Sequence, residues 1–231
     1  MLRCEGLTVR FGGLVPVDGL DLAVPDRGLF LIVGPNGAGK TTLLNVVSRI
    51  TTPAAGSIVF DGRDLLALGA SDVIEAGIAR SFQKAELFGG MSALDNVLVG
   101  LHHLRGYAER EARASARGLL ARLGLEPIAG VAASALPHGY QKLVDLARAL
   151  VSEPKLLLLD EPFAGVTASE VPPLLEAITA AARERAVLMV EHHLELVLGL
   201  ADRVTVLDFG RKISEGAPDE VRRDPAVIRS Y

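Results

Sequence analysis

Cysteine is almost missing from this 231-residue chain: Cys4 stands alone, so no intramolecular disulfide can form, which fits a reducing compartment. Tryptophan is absent too, and the 49% hydrophobic share is carried largely by aliphatic residues. No window reaches the roughly 18–20 uncharged apolar residues that a membrane span requires, and the strongest apolar runs are strand-sized. The start, Met1-Leu2-Arg3-Cys4-Glu5-Gly6, carries no apolar secretion core. The expectation is a soluble, cytoplasmic chain whose membrane role, if it has one, comes through partners. An excess of positive charge is also lacking: the net charge is −4 and the pI about 5.8, which argues against nucleic acid as a partner held by bulk charge. Repeats, low-complexity tracts and long linkers do not occur, so the length suits one domain with a subdomain.

What is present is a phosphate-binding loop. Gly34-Pro35-Asn36-Gly37-Ala38-Gly39-Lys40-Thr41-Thr42 fits G-x-x-x-x-G-K-[ST], between an apolar strand, Leu29–Val33, and a helical stretch, Thr42–Ile50. Glycines allow successive backbone N–H groups to curl inward onto phosphates. The following helix turns its partly positive end to the same anion. Lys40 can reach the β- and γ-phosphates, and the Thr41 hydroxyl can bind Mg²⁺.

The remaining segments supply a frame. Leu7–Arg10, Leu20–Val24 and Gly56–Phe60 read as strands, with turns at Gly12-Gly13, Asp18-Gly19 and Asp61-Gly62. Ser92–Leu104 and Glu109–Leu123 read as helices of an inserted subdomain, and the arginines 110, 113, 117 and 122 as a solvated face. The last third alternates helix Gly139–Val151, strand Lys155–Leu159, helix Ser169–Arg183, strand Ala186–Val190, helix His193–Leu200 and strand Arg203–Leu207. That is the rhythm of parallel βαβ units. A hairpin through Gly210 and a short helix, Pro218–Arg223, follow.

Leu156-Leu157-Leu158-Leu159-Asp160-Glu161 is the second strong signal, a buried strand that ends in two acids. Beside a phosphate loop, Asp160 can hold Mg²⁺ directly or through water, and Glu161 can polarise an attacking water. With these residues in order, the chain resembles the ATP-binding cassette ATPases over nearly its whole length. Ser81-Phe82-Gln83 resembles the family's Q-loop, Leu136-Pro137-His138-Gly139-Tyr140-Gln141 stands in the signature position, and Val190-Glu191-His192 resembles the switch-histidine segment. Phe11 stands where the family stacks an aromatic on adenine, with Val17 against the same base.

The resemblance implies an α/β fold: a P-loop core with an antiparallel β subdomain, residues 1–84 and 145–231, and a helical subdomain over about 85–144 that carries the signature. It implies ATP and Mg²⁺ as cofactors, with Thr41, Gln83 and Asp160 at the metal. Glu161 would orient or deprotonate water, His192 would contact the γ-phosphate, and Gln83 would connect to the helical subdomain. Two cassettes, as a homodimer or a heterodimer of paralogues, would sandwich each ATP between one phosphate loop and the other chain's Pro137–Tyr140. The further partners implied are two membrane permease subunits, docked near Gln83–Met91 through Phe82, Leu87, Phe88 and Met91, and indirectly a periplasmic or extracellular solute-binding protein. That would hold the chain at the cytoplasmic face of the membrane.

The chain departs from the family's commonest motifs. Against Leu-Ser-Gly-Gly-Gln, Pro137 replaces the serine and Tyr140 the glutamine; after Asp160-Glu161, Ala164-Gly165-Val166-Thr167 stands where Ser-Ala-Leu-Asp is usual. Pro137, His138 and the loop Ala164–Thr167, with Arg10–Leu14, Arg80–Gln83, Met91–Val97, Glu191–His193 and the segment from Pro225 to the end, resemble the branched-chain amino-acid importers and the related urea and amide subgroup, in which Tyr140 is less usual. A lipid-export ATPase and a soluble cassette ATPase without a permease are the alternatives.

Overall fold

The structure is a computed structural model, and it describes residues 1–102, 108–192 and 197–230. Strands β1 (Leu2–Phe11) and β2 (Leu14–Val24) form an antiparallel hairpin through Gly12-Gly13. β4 (Ala55–Phe60) pairs with the other side of β1, and β5 (Arg63–Asp64) closes a four-stranded antiparallel sheet in the order β2-β1-β4-β5. Asp18-Gly19 does not turn the chain, as the sequence suggests, but lies within β2. Gly19 takes φ +61° beside a register shift in β1, and its N–H donates to the Thr8 hydroxyl at 3.0 Å. The strand absorbs the glycine as a bulge because a side chain satisfies the amide that the ladder loses.

The second sheet has six strands in the order β10-β9-β3-β8-β7-β6. β3 (Gly28–Val33), β6 (Ile78–Ser81), β7 (Leu156–Asp160), β8 (Ala186–Val190) and β9 (Arg203–Asp208) run parallel, and β10 (Arg211–Gly216) is an antiparallel edge. Side chains alternate across a strand, so the four leucines of β7 divide. Leu156 and Leu158 join the core against the small sheet, whereas Leu157 and Leu159 join the core under the helices. Each such side chain stabilises the fold by about 1.5–3 kcal/mol relative to exposure. Strand β6 was not legible in advance, being four residues long with Arg80 inside it.

Helix α1 (Lys40–Val47) follows the glycine-rich loop, and α2 (Asp72–Glu75) precedes β6. α3 (Ala93–Val99) is shorter than the expected Ser92–Leu104. Ser92 caps it, its Oγ accepting from the Asp95 N–H at 3.1 Å, and residues 103 and 104 lie outside the described residues. α4 (Glu109–Arg122) buries Ala116, Leu119 and Leu120 and leaves its arginines exposed. α5 (His138–Leu150) and α6 (Val171–Glu184) cover one face of the large sheet, and α7 (Pro218–Arg223) and α8 (Pro225–Ser230) follow β10. Of the expected helix His193–Leu200, residues 193–196 lie outside the described residues and Leu198–Leu200 is a 3₁₀ turn. None of the described helices is long and apolar enough to cross a membrane.

Cys4 sits in the core between the small sheet and α1, 1% exposed, and burial pushes its thiol up to about 12. Iodoacetamide at about pH 8, close to a free thiol's pKa, is expected to leave the folded protein unlabelled and to label it on denaturation in guanidinium. Labelling of the folded chain at a free-thiol rate would show that the small sheet opens.

Candidate functional site

The ends of β3, β6, β7 and β8 point the same way, and each carries one part of the site. Gly34–Gly39 links β3 to α1. At Gly39 φ is +99°, and a Cβ there would lie 1.8 Å from the Pro16 carbonyl oxygen, so only glycine lets the loop pass against β2. Val17, expected at the base, is fully buried in the same region as part of the core, with no face to offer a ligand. Phe11 is 52% exposed at the tip of that hairpin, free to offer a ring face. Pro35, Asn36 and Gly37 are at least partly exposed, whereas Gly34 and Ala38 are buried.

Lys40 folds back over its own loop. It is 5% exposed, and its ammonium donates to the carbonyls of Gly34 at 2.7 Å and Pro35 at 2.9 Å. Burial lowers its pKa, and Glu161 and Asp160 oppose that shift. Thr41, the next residue of α1, donates its hydroxyl to Asp160 Oδ1 at 3.2 Å, while Thr42 is half-buried behind it. Asp160, at the end of β7, is itself buried.

Glu161 leaves the strand with φ +45°, a conformation uncommon outside glycine, held by its N–H donating to the Val190 carbonyl at 2.9 Å. The turn aims its carboxylate between two partners. Gln83 Nε2, beyond β6, donates to Oε2 at 2.6 Å, and His192 Nδ1, beyond β8, stands 3.6 Å from Oε1. Glu191, fully buried, accepts from the backbone N–H groups of Phe163 at 3.1 Å and His192 at 3.0 Å, and so locks the two loops together. A carboxylate between an amide and an imidazole, within the field of Lys40, can hold a water and take its proton. Among the described residues no group of three or more His, Cys, Asp or Glu could hold a metal unaided. The Thr41 hydroxyl, the Asp160 carboxylate and the Gln83 amide are hard oxygen donors, and such a set suits Mg²⁺ brought in with phosphate and water ligands.

Pro137–Tyr140 form the start of α5, with Pro137 as its N-cap residue. The hydrogen bonds among the described residues tie this segment to the loop after β7, and none runs to Gly34–Thr42. His138 Nε2 stands 3.4 Å from the Ala164 carbonyl oxygen, and the Gly139 N–H donates to Glu170 Oε1 at 2.9 Å. Glu170 Oε2 accepts from the Thr167 N–H at 2.9 Å and hydroxyl at 2.7 Å, and these bonds hold the Glu170 carboxyl below the usual range. A Cβ at Gly139 would lie 2.6 Å from the Glu170 side chain. Tyr140 is 42% exposed beside them.

Two site residues escaped the sequence reading. Glu170 was signalled by Thr167-x-x-Glu170, the spacing of a capping box. Arg80 had no comparable signal: its guanidinium meets Asp160 Oδ2 at 2.8 Å, with both side chains almost fully buried.

A glycine-rich loop between strand and helix, with a carboxylate at the end of another parallel strand of the same sheet, defines a P-loop nucleoside triphosphatase. The chain belongs to the ABC transporter family: that family's sequence model matches residues 17–164, and a model described as branched-chain amino acid ATP-binding cassette transporter matches residues 211–231. It is 34% identical to the high-affinity branched-chain amino acid transport ATP-binding protein BraF of Pseudomonas aeruginosa, over 100% of this chain and 97% of that protein. Identity to the LivG proteins of Salmonella typhimurium and Escherichia coli K12 is 35% and 34%, with the same coverage. A nucleotide-free ATP-binding cassette from an ABC transporter superposes with a TM-score of 0.90 at 29% identity, covering 100% of this chain and 98% of that one. The ADP conformation of such a cassette gives 0.86 at 29% identity, with the same coverage. The chain is thus a nucleotide-binding subunit of this family and an ATPase.

Replacing Lys40 by Met removes the ammonium inside the loop. Since a hydrogen bond to a charged group contributes about 1.5–3 kcal/mol, ATP affinity is expected to fall at least about tenfold in calorimetric titration, with the melting temperature little changed.

Proposed function

We propose that this chain is the ATP-hydrolysing subunit of an importer for branched-chain amino acids. The observation that carries the reading is likeness over the full chain to BraF and LivG, reinforced by the separate match at residues 211–231. Urea or amide import is the second reading, since the loop Ala164–Thr167 resembles both subgroups alike.

In the proposed cycle, Phe11 stacks on the adenine and Gly34–Thr42 wrap the phosphates. Mg²⁺, held by Thr41, Asp160 and Gln83, would neutralise developing charge on the transferring phosphoryl group. Glu161 takes the proton of the attacking water, and His192 reaches the γ-phosphate. Two cassettes, alike or paralogous, pair head to tail, so that Pro137–Tyr140 of one face the phosphates held by the other. That no hydrogen bond among the described residues joins Pro137–Tyr140 to the phosphate loop of the same chain supports that pairing, in which each chain holds two halves of different sites.

Residues 85–144 act as the helical subdomain, and the permease docks where it meets the core. A groove of about 340 Å³ there is lined by Phe82, Glu86, Phe88, Arg148 and others. Phe88, 53% exposed, is its apolar contact, while Leu87 packs against the helical core instead. Through the permease the chain sits at the cytoplasmic face of the membrane and serves a solute-binding protein indirectly.

Glu161→Gln is expected to lower the turnover number about 10²–10⁴-fold while trapping an ATP-bound dimer visible by size-exclusion chromatography; normal turnover would remove Glu161 from the base role. Phe88→Asp is expected to release the cassette from co-purified permease subunits with ATP binding intact. Reconstitution in liposomes with candidate permeases and binding proteins decides the cargo: stimulation by leucine, isoleucine or valine supports the reading, and stimulation by urea or amides alone replaces it.

A further inference from the structure

Asp160 divides its two oxygens between different tasks. Oδ1 meets the Thr41 hydroxyl on the side of the phosphate loop, and Oδ2 meets Arg80 NH2 at 2.8 Å. Arg80 is itself fixed from several directions. Its NH1 donates to Asn45 Oδ1 at 2.7 Å, within α1, the helix that also carries Thr41, and to the Oγ of Ser48, that helix's C-cap residue, at 2.9 Å. Its guanidinium carbon lies 5.0 Å from the centroid of the Phe82 ring, within cation–π range. Its Nε finds no partner among the described residues, so the group is held at a cost in unsatisfied polarity.

A buried ion pair is poor evidence for stability, since desolvation offsets much of the attraction. What this pair supplies is direction. The planar fork lets one guanidinium bond the carboxylate and the helix at once, and a lysine ammonium lacks that geometry. With Oδ2 held by Arg80, rotation of the carboxylate about its Cβ–Cγ bond is blocked, and Oδ1 stays turned to Thr41.

We propose that Arg80 is a positioning residue for the metal: it presents one oxygen of Asp160, together with the Thr41 hydroxyl, to a divalent cation bound with the nucleotide. The inference rests on the reading of Asp160 as a metal ligand. Partners one shell out from a metal ligand typically control metal affinity about 10–100-fold.

The test uses the full chain and Mn²⁺ as a paramagnetic substitute, with ATP affinity measured in chelator and with Mn²⁺, and metal binding followed by electron paramagnetic resonance. Arg80→Lys is expected to leave ATP affinity in chelator within about twofold and to weaken Mn²⁺ binding to the nucleotide complex about 10–100-fold, with an altered spectrum. If Arg80→Lys does not fold, the double variant Asn45→Ala/Ser48→Ala keeps the charge pair, frees the guanidinium from α1 and is expected to weaken Mn²⁺ binding in the same direction. Asp160→Asn is the reference. If it weakens Mn²⁺ binding while the folded Arg80 or helix variants do not, the positioning role is overturned. If Asp160→Asn also leaves Mn²⁺ binding unchanged, it is the metal-ligand reading that falls, and the inference with it.

Discussion

The site depends on one constraint, the common direction of β3, β6, β7 and β8. Parallel strands in register end together, so the loops leaving them meet at one edge. Residues from four distant segments therefore meet: Thr41 bonds Asp160, Gln83 bonds Glu161, and His192 Nδ1 stands 3.6 Å from the Glu161 carboxylate. The leucines of β7 make this possible by burying both of its faces, which fixes the strand inside the sheet between β8 and β6. Glu191 then seals the edge from behind, because its two oxygens take backbone amides from two different loops.

Helix α5 ties this edge to the groove near Phe88. Lys142, Asp145 and Arg148 recur every three residues and share one face of the helix. Lys142 donates to the Gln83 carbonyl and Arg148 to the Glu86 carbonyl, while Arg148 also pairs with the buried Asp145. Burial lowers the Lys142 pKa and raises that of Asp145, the cost of placing this stripe inside. The grip is on backbone, so the path of residues 83–86 is set by α5 whatever side chains they carry. Since α5 begins at Pro137–Tyr140, one helix contacts both the groove and the segment around Gly139. Arg80 lines the same groove and reaches Asp160, which gives the groove a second and shorter route to the site.

Local patterns made much of this legible. The phosphate loop, the apolar strand ending in Asp160-Glu161 and the βαβ rhythm of the last third are periodicities and spacings, and they predicted the elements that bear them. What escaped was non-local or short. β6 has only four residues, and nothing local to Arg80 points to Asp160, a carboxylate 80 residues away that only the sheet brings beside it. Asp18-Gly19 reads as a turn because its correction comes from Thr8, on the facing strand. Val17 takes its neighbourhood from Gly39, which the chain brings there only on folding.

The unusual signature becomes intelligible through Glu170. A helix N-terminus has backbone donors without intrahelical partners, and a carboxylate there is favourable. In this chain the Gly139 amide is already given to Glu170, while Pro137 contributes no amide at all. Glu170 in turn is held by Thr167, which replaces the aspartate usual in the resembling cassettes. An aspartate at that position would set a second negative charge against Glu170, whereas the threonine supplies two donors to it. Two of the departures, Pro137 and Thr167, thus meet in one arrangement through Glu170: the Gly139 amide at the start of α5 is satisfied from its own chain. In the head-to-tail pairing proposed above, a γ-phosphate arriving from a second cassette would compete with that carboxylate for the same amide. Closure would therefore exchange one anion for another at α5, and its strength would depend on how readily Thr167 draws Glu170 aside.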